Sequence, residues 1–564
     1  MTDSNQMNGA EAMVRMLEAQ GVTHIFGLCG DTTLPFYDAM LQLDHGITHV
    51  LTRDERCAAY MADGYARVTG RVGVCEGPSG GGATYILPGL IEANESSYAV
   101  LAITTDISVG SYGKFPLTEV DQEALMRPLT KYNTVIKQAA HIPRMVRAAF
   151  RAMTSGRSGA AHLGLPYDIQ YDPVEVSDIW GDASFASYPA HPTGPEAAQV
   201  KAAVDAILSA KKPLIVCGGG VIIAGGCDGL ARLAQRLDIA VATSISGKGS
   251  LSDDHRQSLG VVGSNGGTDE TWEMMQEADL VVFMGCRAGS TTTSRWSAPK
   301  PGTRVVHFDN DPMTIGANYP TEVGVVGDLR LSLDMVNAVL DGMDGHPGFG
   351  GAARVADIKA RKFARFAQLA ASTETPIRPE RIIDTLNRLL PENSVVVSDP
   401  GTTCPYYNAY GHRPQAGRHY ITNRAHGALG YAIGAAIGAW FGRPEATVVA
   451  MMGDGSFGFS CGELETAARY NVPVTFIVLS NASFGWIKAS QKDDKGGRYY
   501  NVDFGRTDNA KVAEGFGVKS WTVSDPADLD RVMAEALAHD GPTMIDVITQ
   551  PLEQSAAPVM RWMG

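Results

Sequence analysis

The chain has 564 residues, 44% of them hydrophobic and 19% charged, a composition of globular α/β type with too much length for one core, so three or so domains are expected. Its formal net charge of −14 argues against a nucleic-acid partner and leaves no basic face for a membrane. No apolar stretch is long enough to span a bilayer, the opening MTDSNQMNGAEAMV has no basic n-region, and eight cysteines occur without a CxxC pair; buried free thiols and a cytoplasmic location are the expectation.

In chain order, a first block runs from about residue 7 to 175. It holds an amphipathic helix (Gly9 to Gln20), a strand (His24 to Leu28), a turn at Cys29-Gly30-Asp31, and strands at Gly73 to Glu76 and Ala99 to Thr104. A loop-rich stretch with Trp180, Pro189, Pro192 and Pro195 follows. The second block has strands at Pro213 to Cys217, Leu280 to Met284 and Arg304 to Phe308. GHPGFGG (345–351) and a charged segment, read as a connecting helix, lead to the third block. Strands alternating with helices predict parallel sheets covered on both faces. The expected architecture is three doubly wound parallel-sheet α/β domains, at 1–180, 195–345 and 375–564.

The third block carries the clearest chemistry. In the stretch from Thr447 an apolar strand runs into Gly453-Asp454-Gly455-Ser456, and a second strand, Val474 to Leu479, ends at Ser480-Asn481. Asp454 and Asn481 are oxygen ligands at the ends of neighbouring strands. Two hard ligands suit Mg²⁺, which completes its shell with phosphate oxygens. Gly455 and Ser456 can offer backbone N–H groups to those phosphates at the next helix start. An ordinary strand-turn-helix also uses a glycine-rich turn, but it does not require the distant asparagine.

This run resembles the thiamine diphosphate (ThDP) signature, GDG followed by an asparagine pair, with Ser480 in place of the first asparagine. The resemblance implies Mg²⁺ held by Asp454, Asn481 and a backbone carbonyl near Ser483, with Gly453 beside the diphosphate. LTRDERCAAYMADGYARVTGRVGVC (51–75) is similar to the acetolactate synthase segment that carries the catalytic glutamate, which implies Glu55. Such a carboxyl group, hydrogen-bonded to the aminopyrimidine, stabilises its imino form, and an apolar pocket raises the carboxyl pKa for that purpose. SGGGATY (79–85) resembles the family's SGPGATN loop, departing at Gly81 and Tyr85, and Thr118 replaces a usual glutamine after Phe115. VVVSDPGTTC (395–404) resembles the first strand of the diphosphate domain, implying Gly401, Thr402 and Thr403 at the phosphates. HGALGYAIGAAIGA (426–439) resembles the helix that enters the cofactor pocket, with Gly427 near the cofactor and Leu429 as the bulky residue beneath it.

Cys217-Gly218-Gly219-Gly220 and Asp309-Asn310-Asp311 occupy dinucleotide positions of the central domain, but no GxGxxG occurs. FAD or ADP there stays open; Arg287-Ala288-Gly289-Ser290-Thr291, where flavin-binding relatives have Arg-Phe-Asp-Asp-Arg, weighs against FAD. Asp31 matches the aspartate that handles protons in pyruvate-decarboxylase-type enzymes, and is equally readable as a turn residue or cap. His426 is a second candidate for proton transfer or carboxylate binding, or a structural residue. At the acceptor end Ser490 replaces a tryptophan, and Trp486 and Lys488 add bulk and charge. The resemblance implies decarboxylation of a small 2-oxo acid with transfer of the carbanion to an acceptor carbonyl. The alternatives are a 2-hydroxyacyl-CoA lyase or oxalyl-CoA decarboxylase, against which the short stretch after Thr543 to Ile548 counts, and a simple 2-oxo acid decarboxylase. It also implies a homodimer or homotetramer whose sites are built from two copies.

Overall fold

Three sets of short, β-branched strands each close into a six-stranded parallel sheet. The computed structural model describes residues 5–343, 345, 348–555 and 557–559. The first residues of the N-terminal stretch and part of the GHPGFGG run lie outside the described residues. The chain divides into two compact units. One comprises Met1–His191, Ala425–Glu445 and Ser460–Val474; the other comprises Pro192–Arg424, Ala446–Phe459 and Thr475–Gly564.

The first unit's sheet runs, edge to edge, Thr48–Leu51, His24–Gly27, Gly73–Gly77, Val100–Asp106, Ala161–Pro166, Tyr132–Val135. In the second unit one sheet runs Tyr420–Thr422, Ser394–Ser398, Thr447–Gly453, Val474–Ser480, Thr543–Ile548, Lys519–Val523. Numbered by chain order within each sheet, both follow 2-1-3-4-6-5. The order reverses beside the first strand, and the crevice at the carboxyl ends there is where doubly wound sheets bind ligands. The remaining sheet, Ser258–Val261, Ala240–Thr243, Pro213–Cys217, Leu280–Met284, Arg304–Asp309, Val323–Val326, follows the dinucleotide-fold order 3-2-1-4-5-6. Its strands Pro213–Cys217 and Leu280–Met284 are buried throughout, as strands covered on both faces should be. The charged segment after the central sheet forms the helix Gly351–Ala370.

One expected element differs. Residues 427–430 do not begin a helix; they form a turn, and the helix starts at Tyr431 and ends at Gly442. Gly430, at φ +82°, takes the left-handed conformation that glycine adopts without cost. That helix packs along Glu55–Thr69 through small residues. A Cβ on Gly64 would strike the Ala435 carbonyl, and one on Gly438 would strike the Met61 carbonyl. Backbone sits against backbone, so no flexible side chain can yield. Gly64→Ala and Gly438→Ala are each expected to destabilise the protein by ~1–3 kcal/mol, the range for overpacking. Thermal melts that match the wild type would show that this helix pair tolerates separation.

Candidate active site

Glu55 opens the helix Glu55–Thr69, where Asp54 caps the first turn by accepting the Arg56 N–H at 2.8 Å. Glu55 is 7% exposed. A Cβ on Gly77 would lie 3.2 Å from its Cγ, and one on Gly82 would lie 3.1 Å from its Oε1. The two glycines thus admit the glutamate side chain itself, which a Cβ at either position would crowd. Burial holds its pKa above the usual carboxylate range, and the charges of Asp54 and Glu76 push the same way. Glu76 was not singled out in the sequence. It is 1% exposed, accepts the Tyr37 hydroxyl at 2.6 Å and lies 3.1 Å from His49 Nε2.

The segment before Glu55 is stitched to the helix Glu463–Arg469. Glu463 accepts the Arg53 N–H (2.9 Å) and the Thr466 hydroxyl (2.7 Å), Arg469 donates to the Leu51 carbonyl (2.7 Å), and Tyr470 accepts the Leu51 N–H (3.0 Å). Burial pushes the Glu463 carboxyl from its ordinary 4.5 up to about 7.

The charged residues of ADGYAR serve structure. Arg67 donates to Asp63 (2.7 Å) and Glu92 (3.0 Å), all three are at most 5% exposed, and Tyr431 donates to Asp63 at 2.5 Å. Glu92 in turn accepts the backbone N–H of His426 at 2.7 Å and of Ala425 at 3.2 Å. This fixes the turn that carries Gly427 and Leu429. The His426 side chain is exposed, so its secured role is through its backbone. Gly427, at φ +76°, has open space where a Cβ would stand. Leu429 is half-buried, which rules out a sealed core leucine. Asp31 is exposed at the start of the short turn Asp31–Thr33, past the carboxyl end of the strand His24–Gly27. Cys29 beside it is exposed too, unlike the buried thiols expected.

In the second unit Asp454 and Asn481 come together. Asp454 Oδ2 accepts the N–H groups of Asn481 (2.9 Å) and Ala482 (2.6 Å), and Oδ1 accepts that of Gly455 (2.9 Å). Burial nevertheless holds its pKa above the usual range, with these three N–H groups opposing. Ser483 donates to Asn481 Oδ1 at 3.0 Å, while Asn481 Nδ2 is buried without a partner among the described residues. An amide flip would turn an oxygen to that orphaned position and a donor to Ser483. Gly453 has nothing closer than 4.0 Å to its Cβ position, and Gly401, at φ +157°, has nothing within 4 Å. An orphaned amide beside a carboxylate, bordered by two open glycines at the sheet's switch point, fits a divalent cation carrying a diphosphate.

Around that point Ser456 donates its hydroxyl to Asp399, so its side chain braces the strand-end loop. Thr403 is 1% exposed and its hydroxyl bonds Ser398 at 2.8 Å. Thr402, 8% exposed, borders the open Gly453 position. At the acceptor end, Lys488 is not a free charge: it pairs with Asp503 (2.7 Å) and Glu553 (3.2 Å). Trp486 packs against the apolar core of this sheet, and Ser490 bonds back to the Trp486 carbonyl at 3.1 Å. The exposed bulk on that segment is Phe484 and Ile487. In the central sheet, Gly218 and Gly220 are required by the close backbone of Gly285, a packing reason that needs no nucleotide.

Three family models match the chain: "Thiamine pyrophosphate enzyme, N-terminal TPP binding domain" over residues 7–125, the central domain of the same enzymes over 200–336, and their C-terminal TPP binding domain over 399–547. The chain is 33% identical to a "Probable acetolactate synthase large subunit" of Methanocaldococcus jannaschii, with 97% of this chain and 93% of that protein covered. It is 32% identical to a protein of that name from Methanococcus aeolicus, over 97% and 92%. To "Acetolactate synthase isozyme 3 large subunit" of Escherichia coli it is 32% identical, over 94% and 92%.

Two outcomes follow from this geometry. Asp454→Ala is expected to weaken Mg²⁺-dependent ThDP binding by more than ~100-fold, since loss of an outer-shell partner alone costs up to that much; unchanged affinity in a fluorescence titration would dismiss the metal assignment. For Glu463, the folded pKa lies above the unfolded one, so folding takes up a proton between them. Stability is then highest below pH 4.5 and falls as pH rises to about 7, by ~3 kcal/mol for a shift of this size. Denaturant melts across that window should lose this part of their slope in Glu463→Gln; an unaltered slope would mean the carboxyl group is ionised throughout.

Proposed function

We propose that this chain, which belongs to the thiamine pyrophosphate enzyme family, is a carboligase of the acetolactate-synthase type. In this reading it decarboxylates a small 2-oxo acid and passes the resulting carbanion to an acceptor carbonyl. The observation that carries it is Glu55: a buried carboxyl with raised pKa, packed against two glycines. Bound ThDP supplies the electron sink for cleavage beside a carbonyl.

The chain's own groups divide the remaining work. Glu55 holds or shares a proton with the pyrimidine ring. Asp454, Asn481 and the Ser483 carbonyl hold Mg²⁺, and the N–H groups near Gly455 and Ser456, with Gly401 and Thr402, receive the diphosphate. Leu429, half-buried on a turn fixed by Glu92, supports the cofactor from beneath. Asp31 and His426 are exposed and free to reach a substrate, which suits proton transfer to the product.

A homodimer or homotetramer belongs to the same proposal. Its support is the loop after the strand Val100–Asp106: Phe115 is 97% exposed and Leu117 87%. Phe115 (φ +58°) and Thr118 (φ +75°) hold left-handed backbone that bulky residues adopt at a cost. Thr118 is bound to Ser79 at 2.7 Å, which ties this loop to the SGGGATY turn. Apolar side chains presented this way call for a covering surface.

The test pairs a substrate screen with one variant. Wild-type enzyme with ThDP and Mg²⁺ should release CO₂ from a small 2-oxo acid and yield a carboligated product by mass spectrometry. Glu55→Gln should keep its fold and bind ThDP, yet lose ~10²–10⁴-fold in turnover, the range for an acid-base group. Near wild-type turnover in that variant would refute the role. Cleavage of a 2-hydroxyacyl thioester, with no CO₂ from any 2-oxo acid, would move the reading to lyase chemistry.

A further inference from the structure

The second unit also encloses a cavity of about 210 Å³, away from the residues described so far. Lys248 and Asp253 reach it from the loop after Ala240–Thr243, Lys359 and Lys362 from the helix Gly351–Ala370, and Asn408 and His412 from the end of the helix Thr403–Tyr410. Three lysines thus meet in one place, and their obligations differ.

Lys248 is the most engaged. Its ammonium donates to Asp253 Oδ2 at 3.0 Å and to the Gly411 carbonyl at 2.7 Å. The same Asp253 oxygen also accepts the Arg413 N–H at 2.9 Å. Lys359 donates to the Asp253 backbone carbonyl at 2.7 Å, which leaves two of its protons uncommitted. Asp254 and His412 pair at 2.8 Å nearer the surface. Lys362 is left over. It is 3% exposed and has no hydrogen-bond acceptor among the described residues. Its ammonium lies 5.4 Å from the ring centre of Phe363 and 5.9 Å from that of Tyr410. A Cβ on Gly260 would come to 3.6 Å from it, so the glycine keeps space beside it. Burial, with Lys248 and Lys359 adding like charge, pushes this ammonium down to about 7.

A buried ammonium without an acceptor is costly unless something supplies the missing charge. Three lysines face two carboxylates, Asp253 and Asp254, and Asp254 is already paired with His412, so the missing charge is negative. Asn408 Oδ1 is sealed from the cavity and makes no demand on a ligand. The complementary ligand therefore brings an anionic oxygen. The volume sets its size, below the ~300–1,000 Å³ of sites for drug-sized molecules. We propose that this cavity is a binding site for a small oxyanion, the chemistry shared by hydrogen phosphate and a small carboxylate. The Lys362 ammonium is its main anchor, with Lys359 as the second.

The test is calorimetric titration of the ThDP- and Mg²⁺-loaded enzyme with inorganic phosphate and, separately, with lactate, in chloride buffer at fixed ionic strength. The expected result is saturable one-site binding of at least one probe, weakened at least ~10-fold in Lys362→Met, since one charge-assisted hydrogen bond of ~1.5–3 kcal/mol is lost. The tighter probe identifies the head group. Lys362→Met removes an unpaired buried charge, so its melting temperature should hold or rise; if that variant does not fold, Lys359→Gln is judged by the same criterion. A wild-type enzyme that binds neither probe overturns the proposal, and so does a folded variant that binds both as tightly as the wild type.

Discussion

The buried guanidinium of Arg67 is the interaction on which the candidate residues of the first unit depend. It is desolvated, and it is matched by Asp63 one turn earlier and by Glu92 from another helix. Breaking a pair of this kind by removing one partner leaves a buried charge uncompensated, at ~3–5 kcal/mol. Its reach exceeds its own helix. Asp63 holds the Tyr431 hydroxyl and Glu92 holds the His426 N–H. The helix that begins with Glu55 and the turn that carries Leu429 are thereby referred to one fixed charge. Nothing in the cluster touches a reacting atom, yet it sets where the groups proposed to do so are found.

The second constraint is topological. The two sheets that bear the candidate residues share the strand order 2-1-3-4-6-5. Each therefore has a crevice beside its first strand, at the carboxyl ends. In the first unit that crevice is bordered by the turn at Cys29-Gly30-Asp31 and by Gly77, with Glu55 against Gly77. In the second it is bordered by Gly401-Thr402 and by Gly453-Asp454. One arrangement of strands positions the proposed acid-base group in one sheet and the proposed anion-and-metal cradle in the other. The difference lies in the loop residues, not in the fold.

This division explains what could be read from the sequence. The three sheets and most strand positions were legible because parallel strands covered on both faces are continuous apolar runs. Asp454 and Asn481 were legible because each follows such a run directly. Glu55 was reached through its resemblance to a known segment; by itself it is a helix-start glutamate between arginines, and only the sheet shows it buried beside Gly77. Glu76, Tyr37 and His49 were missed because they converge from two strands and a helix without any local spacing. Leu429 was placed on a helix because its run is rich in alanine and glycine, but Gly430 begins that helix with left-handed backbone.

Helical phase decides how the residues of the expected acceptor end are placed. In the helix Gly485–Lys495 the buried positions include Gly485 and Ala489. Trp486 shares that side and joins the core, while Lys488 swings to Asp503 and Glu553. The side left outward carries Ile487, three residues after Phe484 at the helix entrance, and residues so spaced share a face. Phe484 also explains the second glycine of the GDG run. Its ring lies 2.9 Å from where a Cβ on Gly455 would stand, and it packs edge-on against Phe504 at 5.3 Å. A side chain at position 455 would lever this aromatic pair away from the strand end that holds Asp454. The glycine is thus needed for the room beneath Phe484. That couples the shape of the outward apolar face to the strand end proposed to hold the metal.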